Sequence, residues 1–217
     1  MPAIKNITPA RNSITLTWDI VAGAERYEVE VDENTSGIVN NGTSNTYTHT
    51  GLNPDTPHKY RVRAWNRGGY SSWSGYTSEN TLPIPPETPT HVTVIDVKRE
   101  SITLSWDSMA RATRYEVQVD SINGQDGIVV DNGTGTTYTH TGLIQDTSHT
   151  YRVRAWNRGG YSEWCSYINE TTLPNPPTTP TNISASAGTN EVKVTWDAVV
   201  YATGYDLEID GIVKQSV

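Results

Sequence analysis

The sequence predicts an all-β protein built from tandem antiparallel β-sandwiches, and three observations lead there. Blocks of sequence return at intervals of about ninety residues: SITLTWD at Ser13–Asp19 comes back as SITLSWD at Ser101–Asp107 and as EVKVTWD at Glu191–Asp197. Within each block apolar and polar residues alternate with period two, the pattern of a strand with one face buried. No segment carries a 3.6-residue apolar stripe, and Gly, Asn, Asp and Pro clusters separate the short runs. Composition agrees, since Phe is absent and 12 Tyr and 7 Trp supply the aromatic bulk of a strand-and-turn protein.

The elements follow in order. SITLTWD sends Ile14, Leu16 and Trp18 to one face. RYEVEVD at Arg26–Asp32 does the same with Tyr27, Val29 and Val31, and returns as RYEVQVD at Arg114–Asp120 and as GYDLEID at Gly204–Asp210. TYTHTGL at Thr46–Leu52 is identical to Thr137–Leu143, and the glycine-containing runs GLNPDT and GLIQDT that overlap them read as turns. YRVRAWNRGGYS occurs letter for letter at Tyr60–Ser71 and Tyr151–Ser162. Its alternation places Tyr60, Val62 and Ala64 in the core and Arg61, Arg63 and Trp65 on the outer face. The offset between copies grows across SINGQDGIVV at 121–130, which is expected to be a tolerant turn region. TLPIPPETPT at Thr81–Thr90 and TLPNPPTTPT at Thr172–Thr181 read as semi-rigid spacers, because proline lacks a donor and holds the chain extended.

Taken together, these motifs resemble the fibronectin type III family. Its pattern of an early Trp, a following Tyr, a G-L-x-P-x-T turn and Y-x-V-R-A-x-N-x-x-G-x-S-x-W-S is matched by Trp18, Tyr27, Gly51–Thr56 and Tyr60–Ser74. The second copy runs through Trp106, Tyr115, Gly142–Thr147 and Tyr151–Cys165. The resemblance implies one sandwich over residues 1–84, a second over 85–176, and a partial third over 177–217 that holds only the first strands of the fold. Asp210-Gly211 is expected to make a tight hairpin there. His58 and His149 stand where the family carries a corner tyrosine, and Gln145 replaces the turn proline Pro54. The Arg-Gly-Asp tripeptide of some members is absent, so integrin binding is not implied.

The same resemblance assigns the repeated stretch. In one branch of the family a W-S-x-W-S segment stacks tryptophans between arginines, and SSWS at Ser71–Ser74 and SEWC at Ser162–Cys165 resemble half of it. Trp73 is therefore expected to stack on Arg61 and Arg63, and Trp164 on Arg152 and Arg154, beside Trp65, Tyr70, Trp156 and Tyr161. This ladder is read as a staple worth about 0.5–1 kcal/mol per exposed cation–π contact. The rival reading makes the same aromatic face a platform for a sugar or a protein.

Catalytic signals are weak. His49, His58, His140 and His149 have no Cys, Asp or Glu ligand set close by in sequence, so they are expected to be hydrogen-bonded structural residues rather than metal ligands. Each corner histidine, His58 or His149, is expected to bond to backbone. Cys165 aligns with Ser74 and reads as a small strand residue; as the single cysteine it can form no intrachain disulfide. Gly68-Gly69 and Gly159-Gly160 open no helix, which argues against phosphate cradling. Glu28/Glu30 and Asp206/Glu208 are expected on solvated strand faces rather than in a glycosidase cleft. No catalytic residue, metal or cofactor is expected.

A net charge of −8, from 16 basic and 24 acidic residues, disfavours nucleic acid as a partner, and no apolar run suits membrane insertion. The opening MPAIKNITPA has no signal-peptide pattern, so an extracellular or cell-surface setting is implied by the resemblance alone. The function expected is a non-catalytic spacer, adhesion or protein-interaction module. The alternatives are a carbohydrate-binding module using exposed aromatics and a filament subunit that self-associates by strand addition through the incomplete third repeat.

Overall fold

The computed structural model describes residues 1–120 and 127–215, so the expected turn region at 121–126 lies outside the described residues. Every element of regular structure among them is a strand, and the sandwich expectation holds. The first repeat contains β1 (Ile4–Pro9), β2 (Ser13–Trp18), β3 (Arg26–Val31), β4 (Val39–Asn40), β5 (Thr46–Thr50), β6 (Pro57–Asn66), β7 (Gly69–Tyr70) and β8 (Thr77–Asn80). One sheet has the order β1-β2-β5; the other runs β4-β3-β6, with β7 and β8 both on the far side of β6. The second repeat repeats the plan with β9 (Thr93–Val97), β10 (Ser101–Ser105), β11 (Arg114–Val119), β12 (Ile128–Asp131), β13 (Thr137–Thr141), β14 (Ser148–Asn157), β15 (Gly160–Tyr161) and β16 (Ile168–Thr171).

Period-two alternation builds the core. Ile14, Leu16 and Trp18 from β2 meet Tyr27 and Val29 from β3 and Tyr60, Val62 and Ala64 from β6. Ile102, Leu104, Trp106, Tyr115, Val117, Tyr151, Val153 and Ala155 repeat this in the second unit. Trp18 meets Tyr27 edge-on at 5.5 Å, the geometry the ring quadrupoles favour. One feature departs from simple alternation: Tyr27, Glu28, Val29 and Glu30 are all buried, so β3 is covered on both faces. Something roofs the outer face of that sheet.

Among the described residues the third repeat has β17 (Ser184–Ala187), β18 (Val192–Thr195), β19 (Asp206–Ile209) and β20 (Ile212–Gln215), paired as two hairpins. Asp210 (φ 51°) and Gly211 (φ 79°) form the expected tight turn, with both residues in the left-handed region. Val192, whose counterparts Ile14 and Ile102 are fully buried in the first two repeats, is 66% exposed here.

The first linker is more than a spacer. Asn157 donates from Nδ2 to the Ile84 carbonyl at 2.8 Å and to the Arg111 carbonyl at 3.1 Å, and is 2% exposed. Arg158 donates to the Asn80 carbonyl at 3.0 Å and lies 3.5 Å from the Glu79 carboxylate. Pro86 and Pro89 are buried. The linker is thus seated on the second repeat.

Candidate functional site

The roof over β3 is built by register. Across the β3–β6 pair Arg26 faces Trp65, Glu28 faces Arg63 and Glu30 faces Arg61. The β6–β7 hairpin sets Tyr70 opposite Trp65, and Gly69 takes φ 120°, a conformation that suits glycine. The returning chain hugs β6 through Ser71 N to the Ala64 carbonyl and Ser74 N to the Val62 carbonyl, both at 2.9 Å, which lays Trp73 and Tyr76 over the arginines.

The result is an alternating stack of rings and guanidinium groups. Arg26 Cζ lies 4.1 Å from the Trp65 centroid and 5.6 Å from Tyr70. Arg63 lies 3.8 Å from Tyr70 and 4.4 Å from Trp73, and Arg61 lies 4.8 Å from Trp73 and 4.7 Å from Tyr76. The second repeat reproduces it. Arg114 stands between Trp156 (4.5 Å) and Tyr161 (5.7 Å), Arg154 between Tyr161 (3.8 Å) and Trp164 (4.4 Å), and Arg152 between Trp164 (4.8 Å) and Tyr167 (4.7 Å). All ten residues singled out from the sequence therefore lie in two stacks. Arg26, Arg114, Tyr76 and Tyr167 were missed as rungs. The Arg of RYEVEVD and RYEVQVD was a visible signal, because it precedes the core Tyr and must point outward.

Beneath the stack lie the carboxylates expected in solvent. Glu28 and Glu30 are 8% and 1% exposed, and Glu116 in the second repeat is also buried. This corrects the expectation for the pair in β3; Asp206 and Glu208 are exposed as expected. The reason is coverage. Arg63 clamps Glu28 Oε2 from Nε (2.9 Å) and Nη2 (2.7 Å), and the Tyr70 hydroxyl donates to Oε1 at 2.9 Å. Arg61 donates to Glu30 Oε2 at 2.7 Å and the Tyr76 hydroxyl to Oε1 at 2.5 Å. Arg154 and Tyr161 hold Glu116 in the same way, while Gln118 takes the place of Glu30 and accepts from Arg152 Nε.

Burial alone would raise the Glu28 carboxyl, but hydrogen bonds from Arg63 and Tyr70 and the charges of Arg63 and Arg26 override it and hold it below its ordinary value. Glu30 is likewise lowered, burial being outweighed by Arg61 and Tyr76. A carboxyl lowered by folding contributes stability above its unfolded value, about pH 4.3, and loses it as pH falls through the folded value. His49 and His140 are pushed down chiefly by burial, so their contribution is present above about pH 6.5 and fades as pH falls. Both effects have the same sign. The first repeat is expected to lose melting temperature in two acid steps, below about pH 6.5 and again below about pH 4.3. Glu30→Gln, which copies Gln118, should shrink the second step in a melting-versus-pH series.

The corner histidines find side chains rather than backbone. His58 Nδ1 lies 2.8 Å from Asp32 Oδ2 and its Nε2 3.0 Å from Thr56 Oγ1; His149 stands between Asp120 (2.9 Å) and Thr147 (2.9 Å). His49 and His140 each bond a core tyrosine hydroxyl, Tyr60 or Tyr151, at 3.1 Å. The expectation of no nearby carboxylate is corrected as well: Asp120, His140 and His149 each place one donor atom within 4.8 Å of the others. Sequence distance hid this, since Asp120 follows β11 in the left-handed conformation (φ 54°) and turns back onto β14. These three could hold a metal, but the hydrogen bonds on both histidines already account for the geometry.

Cys165 Sγ accepts from Val153 N at 3.1 Å, as Ser74 Oγ accepts from Val62 N at 3.0 Å. Burial pushes its thiol up, against a smaller lowering by the Val153 hydrogen bond and Arg152, so the nucleophilic thiolate is disfavoured. A cleft of about 670 Å³ is lined by Lys98, Glu100, Ser101, Thr141 and Leu173, and Lys98 Nζ there pairs with Asp96 at 3.0 Å. No helix among the described residues is long and apolar enough to cross a membrane.

Comparison with known proteins matches this architecture. The fibronectin type III domain model fits residues 3–80 and again 87–171. The chain is 28% identical over 194 residues to fibronectin type III domain-containing protein 7 of Mus musculus, covering 89% of this chain and 26% of that protein. It is 26% identical over 239 residues to Exoglucanase B of Cellulomonas fimi, covering 100% of this chain and 21% of the enzyme. The chain thus spans about a quarter or less of these relatives. The crystal structure of chicken CNTN1 FN1-FN3 domains superposes with a TM-score of 0.56 at 19% identity, covering 79% of this chain and 67% of that one.

Proposed function

This chain belongs to the fibronectin type III family, and from that membership we propose that it is a non-catalytic spacer and interaction module of a larger extracellular or cell-surface protein. One observation carries the reading. The inner rings of each stack, Tyr70 and Trp73 in the first repeat, each have two guanidinium groups packed on them, so their faces are engaged within the protein even though Tyr70 keeps 47% of its surface exposed. The stack fastens the sheet, and the seated linker stiffens the join between the sandwiches. Small-angle scattering tests this. The wild-type distance distribution should fit one fixed arrangement of the first two repeats, and Gly159→Val, which pushes Pro83 off its seat, should broaden it. A wild-type distribution as broad as the variant's would contradict a stiff spacer.

A carbohydrate-binding role is the second reading, favoured by the exoglucanase among the relatives and by the end rungs Trp65 and Trp156, each packed on a single arginine. Retention on insoluble cellulose or chitin that disappears in Trp65→Ala plus Trp156→Ala would select it. Self-association through the third repeat is a further reading. It rests on the exposed apolar residues of β18 and β20.

A further inference from the structure

One corner of the second repeat gathers a carboxylate and two imidazoles from three different elements. Asp120 follows β11, His140 lies in β13 and His149 in β14, so the corner joins one sheet to the other. The three residues are partly buried and place their donor atoms within 4.8 Å of one another. No other group of three His, Cys, Asp or Glu residues among the described residues gathers its donors this closely.

Hydrogen bonding decides which nitrogens are open to a ligand bond. Thr147 has a single hydroxyl proton, and its Oγ1 donates it to the Ile144 carbonyl at 2.5 Å. Toward His149 Nε2, at 2.9 Å, Thr147 Oγ1 is therefore an acceptor, which fixes a proton on Nε2. The other nitrogen, Nδ1, then faces the Asp120 carboxylate, 2.9 Å from Oδ1 and 3.1 Å from Oδ2. A nitrogen lone pair and a carboxylate this close need a positive charge between them, either a proton or a metal ion. Metal-ligating histidines are commonly oriented in this way, the far N–H donating to an oxygen. His140 is held as well: its Nδ1 meets the Tyr151 hydroxyl at 3.1 Å, which steadies the ring and leaves its other nitrogen to ligate.

The first repeat carries the same residue types in Asp32, His49 and His58, but its corner is arranged differently. Asp32 Oδ1 accepts from Lys59 N at 2.8 Å, leaving Oδ2 for His58. In the second repeat Thr150 N stands back at 3.4 Å, and both carboxylate oxygens face His149. Lys59 also brings a cation to the first corner, with its Nζ on Glu33 at 2.9 Å, where the second repeat has Thr150. A metal ion is thus repelled from the first corner and admitted to the second.

We propose that Asp120, His140 and His149 bind one Zn²⁺ ion, with a fourth position open to water. Two imidazoles and a carboxylate suit zinc, which takes such ligands at about 2.0–2.2 Å. Tetrahedral bonds of that length set the donors about 3.4 Å apart. Asp120 and His149 already stand near this spacing, and His140 closes in from within 4.8 Å. The ion takes the place of the proton between His149 Nδ1 and Asp120, and that proton leaves to solvent. Because the ligands come from β13 and from the β11–β14 pair, the metal would cross-link the two sheets of the sandwich. Its failure to bind would leave the reading of the outer-face stacks untouched.

Zinc chloride titrated into the protein, followed by calorimetry and by histidine ring resonances, tests the site. One equivalent should bind saturably, shifting the rings of His140 and His149 and leaving those of His49 and His58 in place. At free zinc about 100 times Kd the unfolding transition of the second repeat should rise by roughly 10 °C, while the first stays put. Asp120→Asn should weaken binding at least tenfold. Thr150→Lys, which copies a residue the first repeat already accommodates, should do the same. No saturable binding by about 1 mM zinc, equal rises of both transitions, or an affinity unchanged in either variant would overturn the proposal.

Discussion

Replacing Trp73 by alanine is expected to lower the unfolding transition of the first repeat by roughly 10–20 °C, because a loss of about 2–3 kcal/mol moves a domain of this size by about 4–8 °C per kcal/mol. The indole lies between Arg63 and Arg61 and completes two of the six contacts in its stack. Each is worth about 0.5–1 kcal/mol when exposed and more when desolvated, and the indole also covers the arginine stems. Since domain stabilities are about 5–15 kcal/mol, one rung is a large share. Trp164→Ala should do the same to the second repeat. Differential scanning calorimetry separates the outcomes: an unmoved first transition would make the stack a surface free to bind something else.

Glu28→Ala is expected to cost about 3 kcal/mol, at least as much as any rung, for a different reason. Glu28 is buried under the stack and takes two donors from Arg63, one from Tyr70 and a longer contact from Arg26. Removing it leaves neighbouring cations partly desolvated with no counter-charge, which is more damaging than never having had the pair. Glu30→Gln should be mild, under about 1 kcal/mol, since Gln118 fills that place in the second repeat and still accepts from Arg152. Denaturant unfolding of the two variants gives both values. Equal costs for the two would mean that charge, rather than burial and donor count, governs these sites.

Much of the fold was legible because alternation and repetition are local properties. Ile14, Leu16 and Trp18 announce a half-buried strand within seven residues, and the second copy restates it. The Trp73 position was legible only through resemblance, since nothing in SSWS itself says where an indole goes. What escaped depended on partners distant along the chain. Glu28 and Glu30 look solvated inside RYEVEVD, and their burial comes from Arg61, Arg63 and the returning Tyr70 and Tyr76, more than thirty residues on. Asp120 joins His140 and His149 because a left-handed residue after β11 folds it back. The linker read as a spacer because prolines advertise extension, whereas its seat is made by backbone carbonyls and by the side chain Gly159 lacks.

The central claim is that the outer-face stacks hold each sandwich together through direct ring–guanidinium coupling. A double-mutant cycle on Trp73→Ala and Arg63→Ala measures that coupling from the unfolding free energies of the two single variants and the double variant. The account predicts an interaction energy of about 1 kcal/mol or more between residues 4.4 Å apart. Additive losses, within the roughly 0.3–0.5 kcal/mol expected of independent sites, would contradict it.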